Sequence, residues 1–201
     1  PPDAVANAVI TDSVSAGQND VLMLDTALTS NGTQDRTINS VTVNNVGTTS
    51  DSEISSVKLY YDSNNSGDYT PGVDTEVGSG TFVSGSKTFT GLNIVVPGSG
   101  TEDLYVALGV ANTVDDADTL DVEIPANGIS FSDGATIEDT ALNSSGTRLV
   151  SVVLDHFVIT HDGSATAGSP EQVTVTAKDS YGNIKTSYTG TITLDTNGTA
   201  S

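Results

Sequence analysis

Along most of the chain apolar residues recur at every second position, in short runs broken by Gly, Asn, Asp, Ser and Pro. That period puts alternate side chains on opposite faces of an extended strand. Residues 21–28 are the first firm strand, with Leu22, Leu24 and Leu28 expected on one face. Val5, Val9 and Ile10 suggest a short edge strand before it, and Asn31-Gly32 a reversal after it. Residues 37–44 alternate with Val41 and Val43 inward. Val57, Leu59 and Tyr61 share a face opposite Lys58 and Tyr60. Ser84-Gly85-Ser86 reads as a hairpin connection between 80–83 and 87–90. Leu92, Ile94 and Val96 continue until Pro97-Gly98. Residues 103–111 are apolar on both faces, as a central strand must be, and 120–124 alternate with core on one side only. Shorter strands are expected around Ile129 and Phe131 and over 148–153. No window shows a sustained apolar period of 3.6 residues, so no long helix is expected. About ten short strands with these turn signals imply an all-β fold, a β-sandwich or barrel over residues 1–153.

One polar stretch exceeds what a turn requires. After the strand 57–61, oxygen-bearing side chains recur at alternate positions: Asp62, Asn64, Ser66 and Asp68. A hard cation such as Ca2+ takes six to eight oxygens, and a tightly curled loop with alternate side chains inward supplies them. Gly67 stands sixth from Asp62, where a calcium loop needs glycine for its sharp turn. The twelfth position, which should carry a bidentate Glu, is Val73, so Asp74 or Glu76 must close the shell. Asp, Asn, Ser and Gly are also ordinary turn residues, and a plain polar loop is the competing reading. Asp115, Asp116 and Asp118 form a second acidic turn that could serve a cation.

Charge and composition narrow the partners. The 201 residues carry 26 acidic and 6 basic side chains, a net charge of -20. Phosphate binding needs Lys and Arg in number, so nucleic acid and anionic membrane are disfavoured. No apolar run approaches the length of a membrane span, which argues against insertion. The chain has no Cys, so disulfides cannot brace it, and in a secreted or surface location bound metal is the alternative cross-link. The opening Pro1-Pro2 suggests a mature or excised piece.

The pattern changes near Leu154. Residues 155–160 form a strand with Phe157 and Ile159 on one face, and Asp179-Ser180-Tyr181-Gly182-Asn183 is a turn. Residues 191–195 read as a further strand. Three stretches resemble the first half of a bacterial Ig-like repeat, the invasin- or filamin-like modules strung together in large secreted and surface proteins. They are Ala167-Gly168-Ser169-Pro170, the run from Val173 through Ala177-Lys178-Asp179-Ser180-Tyr181-Gly182-Asn183, and Tyr188-Thr189-Gly190-Thr191-Ile192. The resemblance is closest over 173–194. It implies an Ig-like β-sandwich architecture, with 154–201 a partial second Ig-like segment, since a whole repeat runs to roughly 100 residues. Either the remaining strands lie beyond this piece, or another chain completes the segment by strand exchange.

Enzymatic chemistry finds little support. There is no Cys nucleophile and no Gly-x-Ser-x-Gly elbow. His156 and His161 flank a strand end, with no third ligand suggested nearby in the sequence. Asn31, Asn64, Asn143 and Asn197 stand in N-glycosylation patterns that chance accounts for in a chain so rich in Asn, Ser and Thr. The expected function is therefore structural: a calcium-stiffened fibre, surface-layer or adhesin-stalk subunit associating with copies of itself or neighbouring repeats. The alternative is a carbohydrate- or ligand-binding module of a larger secreted protein, with Tyr60, Tyr61 and Tyr69 its candidate aromatic platform.

Overall fold

The computed structural model describes residues 2–9, 11–137, 140–143 and 146–194. Ile10, Asp195 and Asn197, which figured in the expectations above, lie outside the described residues. The fold is all-β, and among the described residues the one helical element is a 3-10 turn over Asp51–Glu53. The first sheet places β1 (Asp3–Asn7), β2 (Val21–Thr29), β7 (Thr101–Val110), β4 (Ile54–Tyr61) and β5 (Thr75–Gly80) side by side in that order, all antiparallel. In the second, β3 (Arg36–Asn45) pairs along one edge with β6 (Ser86–Val96). Its other edge takes β10 (Ile129–Phe131) and β9 (Val122–Ile124), and β11 (Leu142–Asn143) follows on β9. A short pair, β8 (Thr119–Leu120) with β12 (Arg148–Leu149), and a separate hairpin, β13 (His156–Thr160) with β14 (Thr174–Lys178), complete the set. The described strands outnumber the expected ten because two lie beyond residue 153, the predicted 120–124 stretch divides into β8 and β9, and β11 was not expected, although the stretches 87–90 and 92–96 merge into β6.

The inner faces of the two sheets meet in one core. Leu24, Leu28, Val57, Leu59, Leu104, Val106 and Leu108 from the first pack against Val41, Val43, Phe89, Ile94, Val122 and Phe131 from the second. Each such side chain, fully buried, contributes about 1.5–3 kcal/mol. β7 holds the predicted central place, and its outer-face residues Tyr105 and Ala107 are buried as well, in a second cluster with Tyr60.

Two bulges upset the predicted parity. In β2 the register slips between Leu22 and Leu24, so Leu24 enters the main core while Leu22 turns to the outer cluster. The expectation that both share a face with Leu28 is corrected accordingly: a bulge adds one residue and reverses every side chain beyond it. In β6 the same happens at Gly91, whose φ of +71° suits glycine, and buried positions pass from Phe89 to Leu92. The hairpin connection at 84–85 forms with both residues at positive φ, but it joins different sheets: β5 lies in the first and β6 in the second.

The N-terminal segment and the end of the sandwich are tied together. Val14 makes a parallel bridge to Val150, its amide donating to the Leu149 carbonyl and its carbonyl accepting from Ser151. Beyond this point the β13–β14 hairpin docks through its following turn. Asn183 donates its side-chain amide to the Asn112 carbonyl at 2.7 Å and accepts from the Val114 amide at 3.2 Å. The Asp116 side chain, 2 % exposed, takes the Val152 amide on one oxygen and the Ser187 amide on the other. Lys185 donates to the Val152 carbonyl. The hairpin's apolar residues are less covered: Phe157 is 37 % and Ile159 53 % exposed, and residues 191–194 do not form the predicted strand.

Candidate metal centre

The loop joining β4 to β5 begins where the inter-strand ladder ends, with the Asp62 amide donating to the Asp103 carbonyl at 3.0 Å. Asp62 is 3 % exposed. Its Oδ1 accepts from the Asn64 amide at 3.2 Å and its Oδ2 from the Gly67 amide at 2.7 Å. The chain reaches this geometry because Asn65 and Gly67 both adopt left-handed conformations, which Asn tolerates and Gly adopts freely. The glycine sixth from Asp62 thus supplies the sharp turn that the spacing predicts. Burial alone would raise the Asp62 pKa, but the amides of Gly67, Ser66, Asn64 and Asn65 outweigh it and hold the carboxyl below its ordinary range.

The other predicted donors line the same curl. Asn64 Oδ1 accepts from the Ser66 amide, and Ser66 Oγ donates to the Asp68 carbonyl at 3.1 Å. Asp74 is 6 % exposed. Its Oδ2 accepts from the Thr70 amide at 2.6 Å, whereas its Oδ1 is buried without a partner. Glu76 goes elsewhere: it lies on β5 opposite Tyr60 and accepts that hydroxyl at 3.4 Å. Of the two closing carboxylates expected, Asp74 is the one turned into the loop.

Tyr69, from the loop, folds back over the outer face of the first sheet. Its ring centroid is 5.3 Å from Tyr60 and 5.5 Å from Tyr105, so these rings are spent on one another. Burial pushes the Tyr60 pKa up to about 12 and raises those of Tyr69 and Tyr105 further. Around them stand acidic residues that sequence reasoning did not single out. Asp25 of β2 sits opposite Tyr105, and Asp103 of β7 lies two residues before it on the same face. Burial, then charge repulsion, raises both carboxyls. Glu102, on the inner face at the same end, is pushed to about 7 by burial and by Asp62 and Asp103. Only strand register brings these groups to the loop, and no local spacing announces it.

The acidic turn at 115–118 divides. Asp115 and Asp118 converge with the buried Glu53, carboxylate oxygens lying within 4.8 Å of one another, while Asp116 clamps the hairpin. Both Glu53 oxygens are occupied, one by the Asp115 amide and the other by Ser50. His161 gains the exposed neighbours Asp162 and Glu171, and His156 is not among them. Among the described residues no helix is long and apolar enough to cross a membrane. The β4–β5 loop carries oxygen donors of the type a hard cation takes: Asp62, Asn64, Ser66, the Asp68 carbonyl and Asp74. Among the described residues, however, no three of its carboxylates lie within 4.8 Å of one another as those of Glu53, Asp115 and Asp118 do. The chain matches no protein-family model, and no curated protein matches it.

Proposed function

We propose that the chain is a non-catalytic structural module of a secreted or cell-surface protein, a fibre, surface-layer or adhesin-stalk subunit stiffened by Ca2+. In this reading the Ig-like segment 154–201 associates with copies of itself through strand exchange. One observation carries it: the β13–β14 hairpin leaves Phe157 and Ile159 exposed on a two-stranded sheet, with Val173 just before β14 and Ile184 beyond it exposed as well. An isolated hairpin is marginal in water, and its unpaired edges are templates for further strands. The acidic surface and the absence of Cys support the same reading, since divalent cations relieve repulsion between copies and replace covalent braces.

The test is assembly of the purified chain by light scattering and electron microscopy, in excess Ca2+ and in chelator. Polymers are expected in Ca2+, and Ile159→Asp in the full chain should abolish them without altering the far-ultraviolet dichroism. A wild-type chain that stays monomeric in Ca2+ at every concentration refutes the self-association reading.

A further inference from the structure

Self-association through the hairpin needs a particular edge and a particular register. We propose that β13 pairs with β13 of a second copy, antiparallel and about a two-fold axis at Val158, joining two hairpins into one four-stranded sheet. This pairing rests on the self-association reading above and fixes its contact.

Backbone parity identifies the free edge. Ala177 gives its carbonyl to the Lys185 amide at 3.0 Å, and Ile184 bridges to Lys178, so the outer edge of β14 is taken over its second half. Phe157 stands opposite Ala177, and a carbonyl turned towards Lys185 makes these two a pair without mutual hydrogen bonds. The amide and carbonyl of Phe157, and of Ile159 two residues on, therefore point away from β14. Among the described residues β13 has no other strand beside it. Neither Pro, Lys nor a bulge, the usual guards of an open edge, interrupts His156–Thr160.

The strand is complementary to itself. With Val158 on the axis, Phe157 of each copy lies opposite Ile159 of the other, and the two exchange both backbone hydrogen bonds. An aromatic opposite a β-branched side chain is a favoured cross-strand pair, and both residues are exposed in the single chain. They extend the face that Val175 and Ala177 form on β14. One step beyond the strand, Asp155 falls opposite His161 of the second copy, and there donor meets acceptor. His161 Nδ1 accepts the Gly163 amide at 3.0 Å, so the neutral ring carries its proton on Nε2 and has it to donate. Asp155 spends Oδ2 on His156 and keeps Oδ1 as an acceptor.

Charge favours contact at this end of the chain. Residues 1–153 hold 21 acidic and four basic side chains, residues 154–201 five and two, so copies repel least through their hairpins. A two-stranded sheet is marginal in water, whereas four strands with an apolar face are enough. The two-fold contact closes on itself, so it couples chains in pairs, and longer assembly needs another contact.

The chain has no Cys, so a single introduced thiol reports one position. Val158 would face its own counterpart in a pair without mutual hydrogen bonds, at a Cα separation of about 4.5 Å that a disulfide spans. Thr160 would lie about 13 Å from its counterpart, beyond a disulfide's reach. The experiment oxidises Val158→Cys and Thr160→Cys in the full chain in excess Ca2+, and follows dimers by non-reducing electrophoresis and sedimentation velocity. Val158→Cys should cross-link and Thr160→Cys should not. His161→Glu, a change at an exposed side chain, should weaken dimerisation about tenfold, because a carboxylate then meets Asp155 at both ends. Adding Asp155→Lys should restore it. If wild type associates but Val158→Cys cross-links no faster than Thr160→Cys, the two-fold pairing is refuted and self-association stands. The same holds if His161→Glu dimerises as wild type does. If wild type stays monomeric at every concentration, both fall.

Discussion

Replacing Asp116 by Ala tests how the hairpin is held to the sandwich. Its carboxylate accepts two backbone amides from different places, Val152 at 2.9 Å and Ser187 at 2.8 Å, and the Thr186 hydroxyl at 3.3 Å. The Val152 amide belongs to a fully buried residue, so losing its acceptor incurs roughly 1–3 kcal/mol of unrelieved desolvation. Ser187 is reachable by water, which replaces much of the lost bond, and adds about 0.5–1.5 kcal/mol. The sum is about 1.5–4.5 kcal/mol, divided between the last strand of the sandwich and docking of the hairpin. Burial alone would raise the Asp116 pKa, but the Ser187 and Val152 amides hold it below the ordinary 3.8. A depressed pKa means the stabilisation is present above the unfolded value and is lost as pH falls through the folded one. Asp116→Ala should therefore melt lower than wild type at pH 7, and the two should converge as pH falls through the depressed Asp116 pKa, below the ordinary 3.8. Limited proteolysis at pH 7 should release 154–201 from the variant and leave the sandwich intact. Equal melting and equal cleavage at pH 7 would falsify the clamp.

Wild type in Ca2+ at 100 times its Kd should gain about 2.7 kcal/mol over chelator, read by denaturant unfolding. Leu108→Ala, at the fully buried centre of β7, should lose about 2–5 kcal/mol by the same assay, with no change in Ca2+ affinity. Gly47→Ala should lose about 1–3 kcal/mol, because the new methyl carbon would collide with the Thr119 carbonyl oxygen and force the backbone apart. A Gly47→Ala chain that unfolds at the wild-type midpoint would show that segment free to move.

Much of the sandwich can be read from alternation alone. Leu104, Val106, Leu108 and Val110 face the core from a central strand because a strand buried on both faces must be apolar on both. Val57 and Leu59 enter that core while Tyr60 stacks outside. Where alternation fails, an inserted residue is the cause. Met23 does not differ in kind from its neighbours, so nothing local marks the β2 bulge and Leu22 was expected inward, whereas Gly91 is the residue type that a bulge at positive φ selects. The site divides on the same line. Asp62 and Gly67 are five residues apart and their bond follows from spacing, whereas Asp25 and Asp103 reach the loop through pairings between distant strands. Asp116 looked like one acid in a turn, because its partners lie 36 and 71 residues away.

The parallel bridge at Val14 bears on how such a module carries load. Tension entering before Val14 and leaving after Val150 pulls two parallel neighbours in opposite senses along their own axes. The bonds from Val14 to Leu149 and from Ser151 to Val14 are then loaded together in shear, and Val14, Val150 and Val152 must leave the core in the same step. The hairpin responds differently. Its chain enters and leaves at one end, where the Asp155 amide meets the Lys178 carbonyl, so a pull there opens its bonds singly, like a zip. Forced unfolding is governed by the barrier to opening rather than by equilibrium stability. On the proposed structural reading, a stretched array of these modules would therefore yield first at the Asn183 and Asp116 contacts and then at its hairpins, each a short extensible fuse, while the sandwiches hold as the inextensible links between them.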